Sequence, residues 1–328
     1  ANYLAHEFLN EHWTPFYSCD VADEMANAKL TFAGSATLTE NHLELLGSDQ
    51  LQAQVRKQPT PRLRQLFQDM ALNQRFRRDI FVRGHAQLAR PAIQRNTEST
   101  VFGAPRDLTT VTNVAKVARG EVKFDEKGFA ALKEAFTKGT WTVAELREEM
   151  ARQKLGQLDV ERTLNLMAAT GIIIPCATAQ RPRAVPAEPR QVRVPLEANR
   201  VLIKRIADNL IAGSAVSAAA GSAISIDPIY AVLISLLHQP WKSMDEAKAR
   251  LVAEVKRRRI RFNRAALPGE KGGAGKEDGK AEADMSGATA GTPADPAQDE
   301  AARAGHYFDR FFSTEAPILH RLGIVELV

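Results

Sequence analysis

Two stretches of this 328-residue sequence repeat the same order of parts, and that restricts its folding more than any other feature. In the first, Phe129, Leu132, Ala135 and Phe136 fall at helical spacing. Gly139-Thr140-Trp141-Thr142 breaks the pattern, and Val143-Ala144-Glu145-Leu146 starts a second helix with Thr142 as its cap. A third helix over 160–170 runs into Gly171-Ile172-Ile173-Ile174. The glycine sits where a left-handed helix end belongs, and the β-branched run reads as a strand. In the second stretch a helix over 230–238 leads to Pro240-Trp241-Lys242-Ser243-Met244. A helix over 245–258 follows, capped by Ser243, and then a helix over 308–321 that ends in Leu322-Gly323-Ile324-Val325-Glu326-Leu327. The recurrence predicts a repeated winged-helix-like unit.

The remaining chain divides around these copies. Residues 265–304 are almost wholly Gly, Ala, Lys, Glu, Asp, Ser, Thr and Pro, which predicts a disordered insertion in the second copy. Loop-closure entropy grows only logarithmically with length, so an insertion of this size is tolerable. Pro182, Pro186, Pro189 and Pro195, with arginines between them, predict a semi-extended linker over 179–195. The expected layout is an α/β domain over 1–105, a winged-helix-like unit over 106–178, the linker, and a second such unit over 196–328. The fold class is α+β and mostly helical.

Within the first domain, residues 2–10 read as a short helix that Trp13-Thr14-Pro15 ends. Residues 19–29 read as a helix capped by Asp20, and 30–36 as a strand in which Gly34 allows close backbone approach. Residues 61–81 carry a long helical pattern. Leu63, Leu66, Phe67, Met70, Leu72 and Phe76 make an apolar stripe, with arginines on the opposite face.

Composition is that of an ordinary globular protein, 44 % apolar and 25 % charged, which excludes collagen, a disulfide-stapled miniprotein and global disorder. No run approaches the roughly 20 apolar residues that span a bilayer, and no signal peptide is visible. Two cysteines, Cys19 and Cys176, do not suggest an oxidising compartment, so a cytoplasmic location and no membrane partner are expected. Charge is divided: residues 1–50 hold one lysine against eight acids, and 51–100 hold ten basic residues against three acids. Such a division favours docking of one surface on another, or an anionic partner for the second block. A solvated pair of blocks would look the same.

A search for chemistry finds little. His6 and His12 are six apart, which places them ~120° apart on a helix, whereas two metal ligands on one face need an offset of four. There is no Cys-x-x-Cys pair, no Gly-x-Ser-x-Gly elbow and no phosphate-binding loop. The Ala/Gly/Ser segment 212–225 reads as tightly packed turn or strand. No catalytic residue, metal site or cofactor site is therefore assigned to the chain.

Two surfaces remain as candidates. Tyr3, Phe8, Trp13, Phe16 and Tyr17 concentrate aromatic residues at the N-terminus, among His6, Glu7 and Asn10. They make either a small core or an interface. Arg75, Arg77, Arg78 and Arg83 form a basic cluster, and Lys256-Arg257-Arg258-Arg259 another. Winged helices often read DNA, so a winged-helix nucleic-acid-binding protein is an alternative reading. The low charge of both third helices does not favour it.

At His6-Glu7-Phe8-Leu9-Asn10, Trp13-Thr14-Pro15-Phe16-Tyr17 and Asp20-Val21 the sequence resembles the methyltransferase regulatory domain of bacterial S-adenosylmethionine-dependent methyltransferases, some of them protein lysine methyltransferases. The segments 28–36 and 74–84 fit as further blocks, so the resemblance covers about the first hundred residues. It implies a regulatory and substrate-recognition region that follows a Rossmann-like catalytic domain. That domain would bind S-adenosylmethionine, and no part of it is visible here. The implied partner is this domain, in cis or in trans, with a protein substrate as a further partner. His6, Glu7, Asn10, Trp13 and Tyr17 would face it.

Overall fold

The computed structural model describes residues 14–84, 88–118, 120–178, 185–258 and 296–328. The chain divides into two compact units. The first holds residues 1–100, 109–135 and 142–174; the second holds 101–108, 136–141 and 175–328. Helix and strand are mixed, and among the described residues the strands form small two-stranded antiparallel sheets and one three-stranded sheet.

The first unit opens with helix α1 (Ser18–Asn27), strand β1 (Leu30–Ser35) and two short helices, α2 (Leu43–Leu46) and α3 (Asp49–Lys57). Helix α4 (Pro61–Leu72) and strand β2 (Asp79–Arg83) follow, then α5 (Arg90–Ser99). β1 and β2 pair antiparallel, with Leu30 opposite Arg83 and an irregularity between Phe32 and Gly34. The expected closeness at Gly34 is real. The Asn41 amide lies 3.0 Å from where a Cβ would stand, and it bonds both the N–H and the carbonyl of Ser35. Helix α1 starts at Ser18, with Tyr17 at its N-cap rather than Asp20.

The predicted helix over 61–81 is two elements. α4 stops at Asn73, whose left-handed φ of 51° suits an asparagine, and the run Ile80-Phe81-Val82 finds a strand partner in β1 instead.

Strand β3 (Val101–Gly103) and the hairpin β4 (Val114–Val117) with β5 (Gly120–Lys123) lead into the first copy of the repeat. It consists of α6 (Glu126–Lys138), β6 (Trp141–Thr142), α7 (Val143–Arg152), α8 (Val160–Ala169) and β7 (Ile174–Cys176). The three-stranded sheet has the order β6–β3–β7. After it come β8 (Val192–Arg193), α9 (Glu197–Asn209) and the hairpin β9 (Gly213–Ser217) with β10 (Ser222–Ile226). The second copy consists of α10 (Pro228–Leu236), α11 (Met244–Arg258), α12 (Pro296–Arg310), a π-helical turn (Phe311–Glu315), α13 (Ala316–Arg321) and β11 (Glu326–Leu327).

The two copies end their helices in similar ways, although the glutamate of the first bonds the cap residue's own N–H and that of the second the N–H one residue earlier. The Thr142 hydroxyl accepts from the Glu145 N–H at 3.1 Å, and Ser243 accepts from Glu246 at 3.2 Å. Each glutamate in turn accepts a backbone N–H at the cap, from Thr142 and from Lys242, both at 2.8 Å. Gly171 and Gly323 both sit at φ 69°. The N–H of Ile172 reaches the Met167 carbonyl at 2.9 Å, and that of Ile324 reaches the Leu319 carbonyl at 2.9 Å. Ile172, Ile173, Ile324 and Val325 are all buried directly after these turns. The apolar run after each glycine therefore serves first as core, and the strand starts later than the sequence suggests.

Two boundaries differ from expectation. The Pro-rich stretch is not a spacer throughout. Val192 and Val194 are buried, and β8 pairs with β11, setting Leu327 opposite Val192. Alternating valines give that strand a face to bury. Helix α12 starts at Pro296, so residues 296–304 of the expected insertion are helical and Ala304 is fully buried; residues 265–295 lie outside the described residues.

Candidate functional site

The N-terminal unit carries a cleft between α1, α4 and the two-stranded β1–β2 sheet. It comprises two adjoining cavities of about 400 and about 530 Å³ that share Ser18, Arg77, Asp79 and Phe81 as lining residues. Arg77 is the centre of its floor. Its guanidinium donates to Asp69 at 2.6 Å, to both oxygens of Asp79 at 3.0 Å and to Gln65 at 2.9 Å, and lies 5.5 Å from the centre of the Phe32 ring. Ser18 donates to the other Asp69 oxygen at 2.6 Å. Burial works against the Arg77 charge, but the bonds from Asp79 and Asp69 overcome it and hold its pKa above the ordinary arginine value. The Phe81 ring meets Phe32 edge-on at 5.9 Å and closes the floor.

Helix α4 supplies one wall, and it is turned inside out. Thr60 caps it, accepting the Leu63 N–H, and Pro61 fits its first turn. Gln65, Gln68 and Asp69 lie on its inward side. Gln68, at 8 % exposure, is the one buried residue of this helix. Leu63, Phe67 and Met70, three of the stripe residues, are exposed instead, Met70 at 69 %. An amphipathic helix ordinarily places such a stripe against a core. Here the buried Arg77 draws Gln65 and Asp69 inward, because a guanidinium taken out of water must be paired. The apolar side is then left facing out. Phe16, Tyr17 and Phe76 are exposed as well, and Phe16, Tyr17, Leu66 and Met70 line the same cavity as Arg75.

The sequence-predicted residues are distributed as follows. His6, Glu7, Asn10 and Trp13 lie outside the described residues. Tyr17, at 65 % exposure, stands at the rim of the cleft. Arg75 is exposed at that rim, with no hydrogen-bond or ion-pair partner among the described residues. Arg77 is not basic surface: it is largely buried and fully engaged with Asp69 and Asp79. Arg78 is exposed and donates to the Thr37 hydroxyl, and Arg83 donates to the Ala28 carbonyl. Asp69, Asp79, Gln65 and Ser18 were missed by sequence reasoning. A signal existed, since Asp69 and Asp79 are two of the three acids in the basic block 51–100. Among the described residues no group of three or more His, Cys, Asp and Glu could hold a metal ion, and no helix is long and apolar enough to cross a membrane.

Comparison with known proteins finds a resemblance over the residues of this cleft. The family profile described as "predicted methyltransferase regulatory domain" matches residues 1–83. The uncharacterized protein sll1526 of Synechocystis is 32 % identical over 173 residues, which is 53 % of this chain and 34 % of that protein. The structure of PKMT2 from Rickettsia typhi in complex with AdoHcy superposes with a TM-score of 0.58 at 12 % identity, over 98 % of this chain and 61 % of that one. A second PKMT2 structure from the same organism gives 0.56 at 11 %, over 99 % and 61 %. At these identities the likeness to PKMT2 is one of fold. The chain spans about a third of the Synechocystis protein and about three fifths of PKMT2. Residues 1–83, which hold the whole cleft, match the profile of a predicted methyltransferase regulatory domain.

Proposed function

We propose that this chain is the regulatory and substrate-recognition region of an S-adenosylmethionine-dependent methyltransferase, of the protein lysine methyltransferase type, and that its N-terminal unit covers the active site of a Rossmann-like catalytic domain. The observation that carries this reading is the regulatory-domain match over the residues that build the outward-facing apolar cleft. The fold likeness to PKMT2, which was solved with AdoHcy, supports it. So does the division of acidic and basic blocks over the first hundred residues.

The physical role follows from the geometry of open α/β sheets. Such a sheet offers its cofactor in a crevice at the carboxyl ends of the strands. A lid over that crevice excludes water and narrows the choice of acceptor. The methyl donor is supplied by the catalytic domain. The carboxylates facing the cleft of this chain do not fit a donor, because Asp69 and Asp79 are held by Arg77 and Ser18 and cannot turn to ribose hydroxyls. Within the reading, His6, Glu7, Asn10, Trp13 and Tyr17 face the catalytic domain. The two repeat copies act as winged-helix-like units, and a protein substrate is a further partner. Nucleic acid is less well served: at the basic end of α11, Arg257 and Arg258 are both engaged by Glu254.

The test is methyl transfer by the catalytic domain, expressed separately, with and without this chain. The reading expects saturable change in kcat/KM of about tenfold or more, a coupling within the usual range between sites. Identical kinetics at every concentration of the chain would refute it.

A further inference from the structure

The outward face of α4 has the make-up of an interface. Leu63, Phe67 and Met70 stand one helical turn apart along one side, and all three are exposed. Phe76 and the pair Phe16–Tyr17 add aromatic surface, and Tyr17 and Met70 line one cavity. Apolar groups of this size, grouped and rimmed by charge, mark a surface that another molecule covers. The rim is basic: of the six arginines in residues 61–84, Arg77 is held inside by both aspartates of that stretch and Arg62 is paired with Asp23, which leaves Arg64, Arg75, Arg78 and Arg83 exposed with no ion-pair partner among the described residues. Arg75 stands beside Met70 with no partner among the described residues.

We propose that this face, centred on Phe67 and Met70 and edged by Arg75, is where the chain docks on the methyltransferase catalytic domain, against an apolar surface of that domain rimmed with carboxylates. The proposal rests on the function proposed above and adds to it the face used and the chemistry of the partner. Charge selects the occupant. A second copy of this chain, meeting the same face about a two-fold axis, would bring arginine rim to arginine rim. An apolar centre with a cationic edge calls for an apolar centre with an anionic edge. The inverted helix explains why such a face exists at all: pairing Arg77 from inside fixed the polar side of α4 inward and left the apolar side for a partner.

The experiment measures binding of the full chain to the separately expressed catalytic domain by sedimentation velocity, with Met70→Glu, Phe67→Glu and Arg75→Glu variants. Met70 is two-thirds exposed, so Met70→Glu leaves the fold intact, and an unchanged thermal melt verifies it. Met70→Glu should weaken binding about 30-fold or more, the mark of a central interface residue. Arg75→Glu should weaken it about fivefold at low salt, and that difference should shrink at about 0.5 M salt. If the chain binds but Met70→Glu and Phe67→Glu bind equally well, this face is not the interface, and the proposal falls while the function above stands. If the unaltered chain does not bind the catalytic domain at all, both fall. If instead the chain self-associates, Met70→Glu abolishes that association, and binding to the catalytic domain is unaffected, the occupant is a second copy and the proposal is overturned.

Discussion

Helices α4 and α8 lie in the same unit, are twelve and ten residues long, and carry comparable apolar stripes. They are packed in opposite senses. In α8 the stripe points inward, burying Val160, Leu164, Met167 and Ala168. In α4 it points outward and Gln68 is buried. Periodicity tells which residues share a face; it does not tell which face meets the core. Every buried residue of α8 is apolar. Around α4 the largely buried Arg77 requires polar partners, since a guanidinium left unpaired there would cost about 3–5 kcal/mol.

The sharpest break of this comparison is Leu164→Ala. Leu164 is fully buried, so the change should lower stability by about 3 kcal/mol through lost contacts and a cavity, measured by urea denaturation. Arg77→Ala should be nearly as severe, about 3 kcal/mol, because it leaves Asp69 and Asp79 facing each other without a cation. Loss under 1 kcal/mol would mean that the ion pairs do not orient α4. Gly171→Ala and Gly323→Ala should each cost about 1 kcal/mol, in equal measure. Both glycines hold φ at 69° with open space around the missing Cβ, so backbone strain alone acts. Thr142→Ala and Ser243→Ala, each losing a cap bond, should cost about 1 kcal/mol or slightly less. Unequal pairs would show that the copies differ energetically where their bonding is alike. The smallest effect belongs to Met70→Ser in the chain alone, within about 0.5 kcal/mol, since that side chain is in water already.

Acid adds one further expectation. The Arg257 and Arg258 bonds hold the Glu254 carboxyl at about 2, below its ordinary 4.5. Because the folded value is the lower one, this contribution is present above pH 4.5 and disappears as pH falls through 2. Glu254→Gln should therefore flatten the acid limb of the stability curve between those values, by about 1 kcal/mol for a bond partly open to solvent.

What could be read from the sequence follows from how local the determining forces are. The caps at Thr142 and Ser243, the left-handed glycines and the turn-or-strand character of residues 212–225, which form a hairpin, depend on neighbours a few residues away and are found where expected. The resemblance to a methyltransferase regulatory domain over residues 1–83 was legible from motif blocks for the same reason. The end of α4 was not, because the strand character of Ile80-Phe81-Val82 shows only when β1, some fifty residues earlier, supplies a partner. The role of Arg77 was hidden likewise. An arginine among arginines reads as surface until Asp69 and Asp79 are brought to it from a helix and a strand. The alternation of Val192 and Val194 was too short to read as a strand among the prolines, because its partner Leu327 lies at the far end of the chain.

The central claim is that the apolar face of α4 is covered when the enzyme is assembled. The most direct test is the rate at which Met70 oxidises to the sulfoxide under hydroxyl-radical exposure, read by mass spectrometry with the catalytic domain present and absent. Oxidation follows exposure, so the account predicts rapid modification of Met70 in the chain alone and about tenfold slower modification once the catalytic domain is bound, with buried Leu164 unmodified in both. Equal rates for Met70 in the two states, under conditions where the two proteins are bound, would contradict it.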